Sequence, residues 1–112
     1  AGSYILPKYQ DSVRVIADFL NKNPKINIEI GVHSDIRGAE ESNERFTKIE
    51  ANRVKEMLID KFSIPEERVV AKGYGESEPI ITQEEISKAE TGDEKERLYG
   101  INRRVEIKII KN

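Results

Sequence analysis

The sequence has no cysteine and a single histidine, His33. Thiolate zinc centres, disulfide staples and histidine-rich metal sites are therefore excluded, and cysteine usage gives no sign of the redox compartment. No apolar run approaches the ~20 residues that a membrane-spanning helix needs. The opening residues, Ala1-Gly2-Ser3-Tyr4, lack a basic stretch followed by an apolar one, so no signal peptide is read there. The first helix starts so soon after them that the chain is expected to be a piece of something longer. An excess of one charge is also missing. Nineteen basic and 21 acidic residues leave a formal net charge of −2, and no long basic run offers nucleic acid an electrostatic footing.

What remains is a chain of 112 residues, the size of one domain with one core. Charged residues make up 36% and hydrophobic ones 37%, but the apolar positions recur periodically, which points to a folded domain under a solvated surface. Pro7 suits the first position of a helix, where its missing N–H costs nothing. Val13, Ile16, Ala17 and Leu20 then mark one helical face, and Asn21 to Pro24 end it. Ile26, Ile28, Ile30 and Val32 alternate with Asn27, Glu29, Gly31 and His33, the pattern of a half-buried strand. A polar stretch, Ser34 to Ser42, precedes a helix predicted from about Asn43 to Phe62, with Asn43 as its cap and Thr47, Ala51, Val54 and Leu58 as its inner stripe. Arg68 to Tyr74 reads as a strand. Residues 76–100 read as a polar insert holding at most a short helix, about Gln83 to Ala89. Val105, Ile107 and Ile109 close the chain with a second alternation. This order predicts a single α+β domain over residues 1–112, a two-layer sandwich with two main helices on a small mixed sheet.

Three segments carry a family resemblance. IEIGVHSDIRG resembles a strand followed by G-H-T-D-x-x-G. SNERFTKIEANRVKEML resembles N-x-x-L-S-x-x-R-A-x-x-V, and RVVAKGYGESEPI with GINRRVEIKI resembles G-x-G-E-x-x-P followed by N-R-R-V-E-I. Correctly ordered and spaced from Leu6 to Ile110, they resemble the OmpA-like C-terminal, peptidoglycan-associating domain. The resemblance implies a βαβαβ-β order, here with the first strand cut to what Ala1 to Leu6 allow and a sheet edge left partly unpaired. It further implies a non-enzymatic module that binds the diaminopimelate end of the peptidoglycan stem peptide. Such a module sits in the periplasm, tethered to the outer membrane through a part of the full-length protein absent here.

A zwitterionic ligand end demands two opposite charges a short distance apart. By resemblance, Asp35 holds the amino group; its own sequence context taken alone favours a turn residue bonding to the backbone. Ser34 stands where the family has threonine and offers a hydroxyl. Asn43 lines the pocket, caps the helix, or does both. Arg103 shares parity with Val105, Ile107 and Ile109, where an unpaired charge is costly, and the resemblance places the N-R-R pair at the pocket rim, which makes Arg103 the preferred carboxylate binder. A salt bridge to an acidic loop residue is its structural alternative. Arg104, of opposite parity, is expected in solvent. The departure is Glu50, fifteen positions after Asp35, where the family has its arginine; it is expected at the pocket edge, repelling the carboxylate. Arg37 and Arg53 are candidate substitutes.

An enzyme is not expected: Asp35 and Glu50 offer a carboxylate pair, but the pocket implied is too shallow to exclude water. No cofactor or metal is implied. The alternative function is a periplasmic protein-interaction module that has lost peptidoglycan binding, contacting other envelope proteins through the charged 76–100 segment.

Overall fold

A computed structural model describes residues 3–5 and 9–111, with side chains from residue 13 onward. The placement of Pro7 at a helix start falls outside them. The elements run β1 (Ser3–Ile5), α1 (Tyr9–Lys22), β2 (Asn27–His33), α2 (Glu40–Phe62), β3 (Val69–Gly75), α3 (Gln83–Ser87), α4 (Gly92–Asn102) and β4 (Arg104–Lys111). The strands form one mixed sheet in the order β1-β4-β2-β3: β2 pairs parallel with β3 and antiparallel with β4. The first strand is as short as expected, and pairs with β4 from Lys108 to Glu106.

The alternating isoleucines explain the layering. Ile28, Ile30 and Val32 point to one face of the sheet and meet Val13, Ile16 and Leu20 of α1 and Ala51, Val54 and Leu58 of α2. Each fully buried aliphatic side chain contributes about 1.5–3 kcal/mol. The helical stripes of α1 and α2 match their predicted residues because spacings of three and four put them on one side of each helix. Arg68 ties α1 to the sheet from a distance. Its guanidinium donates to the carbonyls of Leu20, Asn23 and Ile26 (2.7–3.1 Å), bracing the last turn of α1 and the link into β2.

Three expectations are corrected here. α2 begins at Glu40 rather than Asn43, and its N-cap is Ala39, which makes no side-chain cap bond. The 76–100 segment holds more than the short helix expected near Gln83 to Ala89, which is α3, for it also holds most of α4. Thr82 and Thr91 cap these helices by accepting from the backbone N–H groups of Glu85 and Glu94. Both caps follow a Thr-x-x-Glu spacing that polarity concealed. Finally, β2 is buried on its outer face as well as its inner one: the Tyr74 ring lies over Gly31 and stacks on His33 at 4.7 Å.

Gly73 fixes how close α2 lies to β3. A Cβ there would stand 2.2 Å from the Lys48 backbone nitrogen and 2.5 Å from its Cα. Backbone cannot yield as a flexible side chain does, so Gly73→Ala should destabilise by about 3 kcal/mol, the upper end for overpacking. Gly92→Ala, with open space around its Cβ, is the control and should leave the melting temperature unchanged or raised. Thermal melts of both variants measure this.

Candidate functional site

The sheet delivers Asp35 two residues beyond β2, and three contacts fix that turn. Ser34 N–H donates to the Gly75 carbonyl (2.9 Å), and Gly75 N–H donates to the Thr47 hydroxyl of α2 (2.9 Å). Asn43 binds from the other side: its amide nitrogen donates to the carbonyls of Asp35 (3.3 Å) and Arg37 (3.0 Å) and to Glu76 Oε1 (3.2 Å). Asn43 is therefore a clamp on the turn rather than a helix cap. It lies inside the first turn of α2, where its own N–H donates to the Ala39 carbonyl.

Four charged groups meet at this turn. Asp35 Oδ1 accepts from the Arg37 backbone N–H (2.9 Å) and from Arg37 Nε (3.2 Å). Oδ2 accepts from Arg37 Nη2 (2.8 Å) and Arg103 Nη1 (2.7 Å). Both arginines continue to Glu96 of α4, Arg37 Nη1 to Oε2 (2.8 Å) and Arg103 Nη2 to Oε1 (3.2 Å). Tyr99 backs the Arg37 guanidinium, 4.2 Å from its ring centre. The Asp35 side chain is 8% exposed, whereas those of Arg37, Arg103 and Glu96 are 47%, 45% and 56% exposed. A buried anion thus holds two half-open cations.

Burial by itself would raise the Asp35 pKa. Hydrogen bonds from the Arg37 side chain and backbone and from Arg103 outweigh it and hold the carboxyl at about 2. The same bonds push Arg37 upward.

The predicted residues divide unevenly around the cluster. Asp35, Arg37 and Arg103 come together, and the backbone turn at Asp35 coexists with its ion pairs. Ser34 contributes only backbone; its Oγ is buried without a hydrogen-bond partner among the described residues. Arg103 arrives by a route other than strand parity, because β4 begins at Arg104 and Arg103 closes the C-terminus of α4. Arg104 is not in solvent: its side chain is 7% exposed and bonds Glu106 and the carbonyls of Asn102 and Glu78. Glu50 and Arg53 pair with each other (2.8 Å) and join none of the four groups. Glu96 and Tyr99 were not foreseen. They share one face of α4 with Arg103 at spacings of three and four, a pattern visible only once α4 is recognised as a helix. Asn102 was missed too; fully buried, it accepts from the backbone N–H groups of Ile80 and Ile81 and anchors the segment before α3.

This is a non-catalytic α+β domain with a cluster of charged side chains at the turn after β2. The model of the OmpA family matches residues 1–92, and the chain belongs to that family. It is 33% identical over 107 residues to outer membrane porin F of Pseudomonas fluorescens, covering 96% of this chain and 29% of the porin. Its identity to porin F of Pseudomonas aeruginosa is 30% over 97 residues, 87% of this chain and 25% of the porin. The chain thus spans less than a third of these relatives. Among solved structures, the C-terminal domain of Helicobacter pylori MotB superposes with a TM-score of 0.71 at 20% identity, covering all of this chain and 86% of that one. The peptidoglycan-associated lipoprotein of Burkholderia pseudomallei gives 0.66 at 18% identity, covering all of this chain and 91% of that one. No helix among the described residues is long and apolar enough to cross a membrane.

Acid should act on this end of the fold in two stages. Burial first, then the positive charge of Arg104, lowers the His33 pKa to about 4, against weaker opposing effects from Glu106 and Glu78. Lys108 adds a further lowering effect, and the uncharged Tyr74 ring stacks on the imidazole. Between pH 6.5 and 4 the unfolded chain therefore takes up a proton that the folded chain refuses, and stability falls by on the order of 3 kcal/mol. Asp35 has the depressed carboxylate case: its contribution, on the order of 2 kcal/mol, is intact above pH 3.8 and is lost as pH falls toward 2. Denaturant melts against pH should show the first loss flattened in His33→Gln and the second in Asp35→Asn.

Proposed function

We propose that this chain is a peptidoglycan-binding module that recognises the diaminopimelate end of the stem peptide, within a periplasmic protein tethered to the outer membrane through another part. Family membership supports the class, as does the likeness to a peptidoglycan-associated lipoprotein. One observation carries the finer reading: the buried Asp35 carboxylate aligns two half-exposed guanidiniums, Arg37 and Arg103. Such a fork suits a ligand carboxylate, because two charge-assisted hydrogen bonds from planar donors fix its position and orientation.

On this reading Asp35 orients the site and does not itself receive the ligand's ammonium. Its two oxygens already accept four hydrogen bonds, so an incoming ammonium would have to displace an arginine. The ammonium falls instead to the acidic rim joined to the turn through the Asn43 amide, Glu76 first. Arg37 and Arg103 take over the cationic role that Glu50 cannot fill. Glu50 still lacks the hydrogen bond an arginine would give, which costs roughly 1.5–3 kcal/mol, about one to two orders of magnitude in affinity. Its pairing with Arg53 removes part of the repulsion.

A protein-contact module that has lost peptidoglycan binding is the second reading. Phe46 and Ile49, 59% and 46% exposed on the outer side of α2, favour it together with Glu50. Co-sedimentation with purified insoluble peptidoglycan separates the two. The anchor reading expects the wild type in the pellet and Glu50→Arg retained about tenfold more tightly. Folded wild type left in the supernatant favours protein contact, and equal retention of both proteins removes the argument about Glu50.

A further inference from the structure

Glu96 holds the position at which a ligand carboxylate would be expected. Its two oxygens divide between the two guanidiniums that Asp35 aligns, Oε2 on Arg37 and Oε1 on Arg103. A carboxylate bridging two arginines, open to solvent over 56% of its side chain, is what the fork would look like with an external carboxylate seated in it. We propose that Glu96 is a resident substitute for that carboxylate, and that ligand binding exchanges it out of the Arg37–Arg103 fork. This rests on the fork being the carboxylate site of the reading above, and it names the residue that sets affinity there.

The differences within the cluster favour exchange at Glu96 over exchange at Asp35. Asp35 is buried and accepts one of its four bonds from backbone, so its removal would unmake the turn. Glu96 accepts from side chains alone, and every member of its ion pairs is about half exposed. Exposed ion pairs are weak, so water and a competing anion can replace them at little cost. Tyr99, one turn along α4, keeps the Arg37 guanidinium stacked when Glu96 departs. The fork would then persist while its occupant changes. A site whose competent form is only part of the population binds more weakly by that fraction, so Glu96 lowers the apparent affinity for every carboxylate alike.

The test compares wild type, E96Q and E94Q by following the arginine Nε–H signals by NMR. Two probes are titrated: N-acetyl-D-alanine, which has a carboxylate and no ammonium, and a diaminopimelate-containing muropeptide. E94Q removes the same unit of charge from the same helix but breaks only the Glu94–Arg97 pair. E96Q should bind N-acetyl-D-alanine about three- to tenfold more tightly than wild type, with the Arg37 and Arg103 signals shifting, while E94Q matches wild type. Equal or weaker binding by E96Q overturns the proposal. So does equal tightening in E94Q, which would make the effect one of net charge, and so does an absence of shifts up to the probe's solubility limit. Expected behaviour with N-acetyl-D-alanine and no muropeptide binding by any variant would leave the exchange standing and defeat the peptidoglycan reading instead.

Discussion

A carboxylate withdrawn from solvent needs partners, and Asp35 takes its partners from two distant parts of the chain. Arg37 lies two residues away; Arg103 comes from the far end of α4, 68 residues on. Desolvation makes an unpaired Asp35 expensive, so the turn, α4 and the start of β4 must arrive together for the anion to be satisfied. This one group thereby couples a local turn to the long-range topology. Each guanidinium spends one edge on the buried Asp35 and the other on the exposed Glu96, and so stays about half exposed.

The rest of the fold holds that anion in place. β2 ends at His33, and the contacts from Ser34 to Gly75 and from Gly75 to Thr47 lock the strand end to β3 and α2. Gly75 adopts a left-handed φ of +57° and Gly73 lets α2 approach, so the two glycines of this segment fix the distance between helix and strand. On the outer face, Tyr74 shields His33 and donates to Glu29, while Lys108 donates to the Tyr74 hydroxyl. A polar layer therefore covers the face that α1 and α2 leave open.

Much of this was legible in the sequence, for physical reasons. The inner stripes of α1, α2 and β2 were readable because core burial imposes a period on apolar residues. α4 was not, because Gly92–Asn102 has no buried apolar stripe; its one fully buried residue is Asn102, whose amide bonds the backbone of Ile80 and Ile81. The same blindness misdirected two arginines. Parity along β4 brought Arg103 toward the site for the wrong reason, since it precedes the strand. It sent Arg104 to solvent, although Arg104 is held by Glu106 and two carbonyls. Asparagine favours the cap position, which points to Asn43 as the cap, but α2 begins at Glu40 after an Ala39 N-cap with no capping side chain and uses Asn43 to clamp the turn.

On the proposed reading, Glu50 in place of the family's arginine moves the cationic role elsewhere. Glu50 pairs with Arg53, and the carboxylate contacts of that reading fall to Arg37 and Arg103. The central claim is that these two arginines together form the cationic half of the recognition site. Calorimetric titration of a diaminopimelate-containing muropeptide into Arg37→Ala, Arg103→Ala and the double variant tests it most directly. Each single substitution should weaken binding about tenfold or more, and the double variant should not bind measurably. A folded double variant that binds as tightly as the wild type would contradict the account.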